Sequence, residues 1–176
     1  MFEDDIFVEE MVIRRKTLAN LLLSVLFVLA AVVLAALVFL VPFLRGLMPA
    51  MLVILCFGAY LGIKFQYTEY EYSFTNGDFD VDRIQAKRKR TRMLEINQRQ
   101  IKVMCPYTAE YESETTDYKV TEIKDFSSSK NAAGRWFLIC EKDDGGYAFV
   151  VFQPSRRLRE AFYKYLHRSR MKGMEE

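Results

Sequence analysis

The pattern of hydrophobic and polar positions is dominated by two long apolar runs that follow each other near the start of the chain. Residues 18–44 contain only two polar side chains, and this run exceeds the roughly 20 residues that cross a hydrocarbon core. Residues 47–63 carry no charge and end beside Lys64, whose long side chain can reach the headgroup layer. We therefore predict a hairpin of two transmembrane helices over residues 17–66.

Basic residues near the ends of the two runs predict the orientation of this hairpin. Residues 14–16 are all basic, Lys64 and six further Lys or Arg at positions 83–92 follow the second run, and the connecting loop contributes only Arg45. Because basic residues are enriched on the cytoplasmic side of membrane helices, we expect a cell-membrane protein with both termini in the cytoplasm. A cleaved signal peptide is the competing interpretation, but the first run is too long and a second span follows at once.

The N-terminal segment, residues 1–16, begins acidic and ends basic, which suits the dipole of a short helix. Phe2, Ile6, Met11 and Ile13 can form an apolar side of that helix. We interpret the segment as a short cytoplasmic or interfacial helix that leads into the membrane, with a disordered tail as the alternative.

Small residues recur within the hairpin at the spacing of about one helical turn. Ala31 is followed by Ala35, and Gly58 by Gly62 in a G-x-x-x-G pattern. This spacing lets two helix backbones approach closely, so we expect these residues to pack the two helices of one chain together. Homodimerisation through the same face is the alternative. Neither apolar run contains Asp, Glu, Lys, Arg or His, so nothing indicates an ion path or a proton relay.

After Gln66 the period of the pattern changes from that of a helix to two residues. Residues 69–74 alternate between polar and aromatic side chains, and Asn76-Gly77 follows, which is a strong signal for a type I′ hairpin turn. The acidic segment 107–117 is expected to be an exposed loop. Altogether we expect about seven strands in a strongly bent antiparallel sheet. The further short runs with strand character are residues 79–86, 93–96, 101–104, 120–126, 135–141 and 147–152.

A helix is predicted to close the domain. Pro154 ends the last strand, Ser155 can cap the helix, and the helical pattern continues to about Arg170. The expected fold is a membrane α-helical hairpin followed by an α+β domain over residues 67–172, whose bent sheet is capped by this amphipathic helix. The apolar stripe of the helix is Leu158, Ala161, Phe162, Tyr165 and Leu166.

This order of elements resembles that of bacterial pleckstrin-homology-like (PH-like) domains, which often follow a pair of membrane helices directly. Three stretches are similar to a family of small two-pass bacterial membrane proteins: residues 71–82 (EYSFTNGDFDVD), residues 87–92 and residues 152–165 (FQPSRRLREAFYKY). The resemblance implies the fold and the membrane-tethered arrangement. Such domains elsewhere bind lipid headgroups or partner peptides, but no catalytic or ligand-binding residues can be carried onto this sequence.

The basic run Lys87, Arg88, Lys89, Arg90 and Arg92 is the most informative feature outside the membrane segment. Because strand residues alternate between faces, we place the run at a strand end or a hairpin that projects from the sheet. Few residues separate the domain from the second helix, so we expect the run within about 8 Å, one Debye length, of an anionic leaflet. There each basic residue contributes on the order of 1 kcal/mol. A solvated basic face that only supports topology is the alternative.

No residue pattern indicates catalysis, a metal or a cofactor. His167 is the only histidine and falls on the polar side of the predicted last helix. Asp78, Asp80 and Asp82 alternate along a strand, but the run lacks the Gly and Glu of a calcium loop. The three cysteines are far apart and are expected to be reduced. Nucleic acid is not expected as a partner, because the adjacent bilayer offers the same negative charge.

These observations favour a membrane-anchored, non-enzymatic interaction module that presents a PH-like domain at the cytoplasmic face. The expected partners are the headgroups of anionic membrane lipids, held by the basic run. The alternative is a scaffold or adaptor that binds a segment of another membrane protein, or an accessory subunit of a membrane complex.

Overall fold

The computed structural model describes residues 5–167 and 170–173 of the 176-residue chain. Two short 3-10 helices, Pro42–Leu47 and Ala109–Thr115, accompany the regular elements. In chain order those elements are β1 (Phe7–Ile13), α1 (Leu18–Leu40), α2 (Met48–Lys64), β2 (Thr68–Thr75), β3 (Asp78–Gln85), β4 (Lys89–Asn97), β5 (Ile101–Pro106), β6 (Val120–Asp125), β7 (Trp136–Glu141), β8 (Tyr147–Phe152) and α3 (Arg156–Tyr165).

The chain divides into two compact units. The hairpin unit comprises Arg15–Thr68 and Gln85–Lys89. The sheet unit comprises the described residues of Met1–Arg14, Glu69–Ile84 and Arg90–Glu176. The hairpin unit therefore combines both apolar helices with the turn between β3 and β4. The predicted hairpin, residues 17–66, lies inside the first of its two segments.

Both helices of the hairpin unit are long and apolar enough to cross a membrane. The candidate spans, Leu18–Leu40 and Pro42–Lys64, have 23 residues each and mean hydropathies of 3.2 and 2.1. Neither α1 nor α2 buries a residue completely within the protein, so apolar side chains cover their outer surfaces. Such surfaces are stable in lipid and unfavourable in water.

The small residues of the hairpin differ in what they contact. A Cβ atom added at Gly62 would lie 3.0 Å from the ring of Phe27 on α1, so this glycine permits a close approach of the two helices. Ala31 and Ala35 are half-buried. By contrast, a Cβ atom at Gly58 would have no atom within 4 Å. Homodimerisation through this open position stays a prediction.

The first sheet of the sheet unit has the strand order β1-β2-β3-β4. β1 runs antiparallel to β2, with Phe7 opposite Thr75 and Ile13 opposite Glu69. The prediction of a helix in the N-terminal segment is therefore wrong. Val8 is buried and Val12 is half-buried, so burial along this segment follows the two-residue period of a strand. The edge of β2 supplies the hydrogen-bond partners of the β1 backbone. In chain order, the whole helical hairpin is an insertion between two neighbouring strands.

The second sheet has the strand order β5-β7-β8-β6. β7 pairs antiparallel with β5 and β8, whereas β6 runs parallel to β8. The predicted fold class, a strongly bent antiparallel sheet capped by a C-terminal amphipathic helix, is confirmed, but the strands form two sheets and β6 makes the second one mixed. Within the described residues, 5–167 and 170–173, eight strands replace the predicted seven because β1 adds one. The Asn76-Gly77 turn is also confirmed, with φ of 50° and 98° at its two residues.

Aromatic side chains form the centre of the main core. Phe74 and Phe79 from the first sheet pack on Phe162 of α3, with ring centroids 4.6 and 5.0 Å apart. The hydroxyl of Tyr72 donates to the carbonyl of Phe126 at 2.7 Å and accepts from the backbone N–H of Gln153 at 3.3 Å. Burial raises the pKa of Tyr72, so this hydroxyl keeps its proton and its donor role.

Helix α3 begins as predicted and ends earlier. The Ser155 side chain accepts a hydrogen bond from the backbone N–H of Leu158 at 3.2 Å, which confirms the cap. The helix ends at Tyr165 instead of near Arg170. Beyond it the chain pairs with β5: the N–H of Met104 donates to the carbonyl of Arg170 at 2.7 Å, and the N–H of Lys172 donates to the carbonyl of Met104 at 3.0 Å.

Candidate functional site

The turn between β3 and β4 has an unusual backbone. Ala86 and Lys87 both have positive φ, 51° and 58°, and the N–H of Arg88 donates to the carbonyl of Gln85 at 3.0 Å. Residues other than glycine pay roughly 1–2 kcal/mol each for this left-handed conformation. The N–H of Ala86 donates to the carbonyl of Tyr67 at 2.9 Å, which helps to hold the turn. Three consecutive basic side chains are left exposed there: Lys87, Arg88 and Lys89.

A cavity of about 440 Å³ opens beside this turn within the hairpin unit. The Nζ of Lys87 lies 5.5 Å from the ring centroid of Tyr67, and the Nζ of Lys64 lies 5.6 Å from that of Tyr60. Cation–π contacts of this kind orient the ammonium groups without neutralising them. The complete lining is Lys16, Tyr60, Ile63, Lys64, Tyr67, Ala86 and Lys87.

The charge of the hairpin unit has one sign only. Its residues, Arg15–Thr68 and Gln85–Lys89, include seven Lys or Arg and no Asp or Glu. One of the seven, Arg45, lies in the loop between α1 and α2. Arg15, Lys16 and Lys64 lie in sequence at the helix ends away from this loop. Lys87, Arg88 and Lys89 lie in the turn between β3 and β4. Because the unit contains no carboxylate to neutralise these basic residues, binding of an anion from outside the unit is favoured.

Arg90 and Arg92, the remaining members of the predicted basic run, belong to the sheet unit and pair with carboxylates. Arg90 forms an ion pair with Glu71 on β2 and a second one, of 3.1 Å, with Asp82 on β3. The Nε of Arg92 lies 2.6 Å from Asp82, and its Nη1 lies 3.1 Å from Asp80. Glu71 and Asp82 are 5% and 7% exposed, so these two arginines neutralise nearly buried charges.

The same network accounts for the alternating aspartates of β3. Asp78 accepts a hydrogen bond from the Asn97 amide at 2.5 Å, and Asp80 and Asp82 pair with Arg92. Burial raises the pKa of Asp80, although the charge of Arg92 opposes that shift. Hydrogen bonding to Asp82 raises the pKa of Arg92, which keeps its charge. Across residues 5–167 and 170–173, no group of three or more His, Cys, Asp or Glu is arranged to hold a metal.

The structure thus divides the predicted basic run and adds members that the sequence reasoning missed. Lys87, Arg88 and Lys89 lie in the hairpin unit, whereas Arg90 and Arg92 lie in the sheet unit. The sequence predicts a topology signal from both Lys16 and Lys64, and a reach to the headgroup layer for Lys64, but no site that they share. One feature of the sequence indicates the positive charge around Lys16 and Lys64: no Asp or Glu lies between positions 15 and 68.

Two sheets closed by a C-terminal helix are consistent with a PH-like domain. The family model described as a bacterial PH-like domain matches residues 4–172, and the chain belongs to this family. The matched range includes β1 and the helical hairpin, so both are part of the family's domain. No match was found among the curated proteins or among the solved structures.

Proposed function

We propose that this protein is a membrane-anchored, non-enzymatic interaction module whose hairpin unit binds the headgroups of anionic phospholipids. The observation that carries the proposal is the charge of that unit, with seven basic residues and no carboxylate. Lys16, Lys64 and Lys87 are the residues that would contact a lipid phosphate, because they share one cavity. Lys ammonium groups bind phosphate as point charges.

The chain connectivity supports an anchored domain on one side of the membrane. β1 precedes α1, β2 follows α2, and the two strands pair along their length. If each helix crosses once, the two strands must lie on the same side. Six basic residues accompany that end of the hairpin and Arg45 the other, which favours the cytoplasmic side for the sheet unit.

The composition of the cavity supports a lipid over a free anion. Tyr60 and Ile63 belong to the last turns of α2, and Lys64 ends this apolar helix. Aromatic and basic side chains at such helix ends lie at the headgroup level of a bilayer. Each basic residue near an anionic surface contributes on the order of 1 kcal/mol, so three of them can select an anionic lipid over a zwitterionic one.

The test uses the full chain, because a fragment that starts at Tyr67 lacks β1. The protein is reconstituted in mixed phosphatidylcholine and phosphatidylglycerol nanodiscs, and the lipids that it retains are counted by native mass spectrometry. We expect retained phosphatidylglycerol in the wild type and a loss of about tenfold or more in the triple variant Lys16→Gln, Lys64→Gln and Lys87→Gln.

A matched triple variant removes the same charge from exposed positions of the sheet unit: Arg99→Gln, Lys119→Gln and Lys130→Gln. It should retain phosphatidylglycerol like the wild type. Equal retention by both triple variants would refute lipid binding at the cavity. Inorganic phosphate at millimolar concentration serves as a competitor, and displacement of the lipid by it would favour a free anion as the ligand.

A further inference from the structure

The second sheet carries an apolar cluster on the face opposite the main core. Alternate residues of its strands form this cluster, which is separate from the core under α3. A groove of about 550 Å³ opens over it, a volume typical of sites that hold a small ligand or a few side chains. The large apolar side chains that line the groove are Tyr107, Tyr118, Val120, Ile123, Phe137 and Phe149.

Three aromatic rings in contact with one another line this groove. The rings of Phe137 and Phe149 are stacked, with centroids 5.0 Å apart. The ring of Tyr107 lies 6.3 and 6.2 Å from those two, and the guanidinium of Arg135 stacks on it at 4.3 Å. Aromatic walls of this kind give large contact area at low entropic cost.

Ile123 on β6 is the most exposed of the large apolar side chains that line the groove. It is 74% exposed, although the strand that carries it pairs with β8 over its length. β6 is also the terminal strand of its sheet. A large aliphatic side chain in this position gains free energy when another molecule covers it.

The segment that borders the groove is strongly acidic. Residues 108–117 include four Asp or Glu and no Lys or Arg, and two of them, Glu110 and Asp117, are exposed. Ala109 and Thr115, the first and last residues of the 3-10 helix in this segment, line the groove directly. An acidic border repels anionic lipid headgroups and attracts cationic groups.

We propose that this groove binds a short cationic segment of another protein, with an aliphatic or aromatic side chain packed on Ile123 and Phe149. Lys or Arg residues next to that side chain lie against the acidic segment 108–117. The apolar contact supplies the affinity, and the charges supply orientation and selectivity. The groove belongs to the sheet unit alone, so this interaction does not depend on lipid binding by the hairpin unit.

The test starts from a randomised decapeptide display library and the full chain in nanodiscs of phosphatidylcholine only, so that anionic lipid plays no part. We expect the enriched peptides to carry net positive charge and to place Lys or Arg beside an aliphatic or aromatic residue. A fluorescein-labelled copy of one enriched peptide then gives affinities by fluorescence anisotropy. Enrichment of neutral or acidic peptides, or no enrichment, would overturn the proposal.

Two pairs of matched variants locate the site. Ile123→Asp should weaken binding of the labelled peptide about tenfold or more, whereas Met11→Asp, an equivalent change at a 58% exposed residue of β1, should not. Glu110→Lys should weaken it more than Glu9→Lys, which changes an exposed charge on β1. Equal effects within either pair would place the peptide elsewhere. A dimer of the protein that Ile123→Asp converts into a monomer would make a second copy the occupant, and it would also overturn the proposal.

Discussion

Arg90 and Arg88 belong to one basic run, yet the same substitution should destabilise the protein at Arg90 and leave its stability almost unchanged at Arg88. Arg90 pairs with Glu71 and Asp82, which are nearly buried. Removing one partner of a fully buried ion pair costs about 3–5 kcal/mol, because the other charge is left unpaired. The Arg90 side chain is 54% exposed, and Asp82 keeps Arg92, so solvent and the second arginine reduce the cost for Arg90→Gln to roughly 1–3 kcal/mol.

The single tryptophan makes this cost measurable. Trp136 is 4% exposed on β7, so its fluorescence reports unfolding of the sheet unit in detergent or nanodiscs. For a chain of this size 1 kcal/mol shifts Tm by about 2–4 °C, so Arg90→Gln should lower Tm by roughly 2–12 °C. Arg88→Gln, at an exposed position of the turn, should change stability by no more than about 0.5 kcal/mol.

Equal melting temperatures for Arg90→Gln and Arg88→Gln would refute the reasoning, because they would mean that the ion pairs of Arg90 contribute no net stability. A loss in both variants would also refute it, since it would make Arg88 structural. Arg90→Lys refines the result. Lysine keeps the charge but cannot bridge two carboxylates with a planar fork, so a partial loss is expected.

Three further outcomes follow from the structure. Replacing residues 15–67 by Asn-Gly should give a soluble domain in which Trp136 stays buried. The reason is that Ile13 and Glu69 are already opposite each other in an antiparallel pair, so a two-residue turn can join β1 to β2. An aggregated or unfolded product would contradict this. Burial raises the pKa of Asp80, so the stability that this carboxyl contributes is present at low pH and is lost as pH rises through the raised pKa; Tm of the variant Asp80→Asn should therefore fall less with rising pH than Tm of the wild type. Gly62→Ala should destabilise the helical hairpin in proteolysis or thermal assays, because the added methyl group contacts the Phe27 ring. Gly58→Ala should be tolerated in a monomer. A larger loss of stability for Gly58→Ala than for Gly62→Ala would disprove the observed packing.

Local periodicity explains which parts of the fold were predictable. The two apolar runs, the Asn76-Gly77 turn and the Ser155 cap are signals contained within a few neighbouring residues, and the structure confirms the elements that they predict. β1 was missed because its partner β2 follows only after the whole helical hairpin. With the partner unknown, the acidic-to-basic order of the segment looked like that of a helix.

The candidate site was only partly predictable for the same reason. A run of basic residues shows charge, but it does not show which members face carboxylates. The partners of Arg90 are on β2 and β3, so the ion pairs depend on how three strands align. The cavity brings together Lys16, Lys64 and Lys87 from three distant positions, and no local pattern contains all of them.

The placement of the hairpin between β1 and β2 has a consequence for biosynthesis. The ribosome releases β1 first, but its partner strand emerges only after both apolar helices have been made. The first sheet therefore cannot be completed until the chain has been synthesised past both helices. Until β2 has been made, β1 has no partner in this sheet, and an unpaired strand edge is a place where other chains can pair and aggregation can begin.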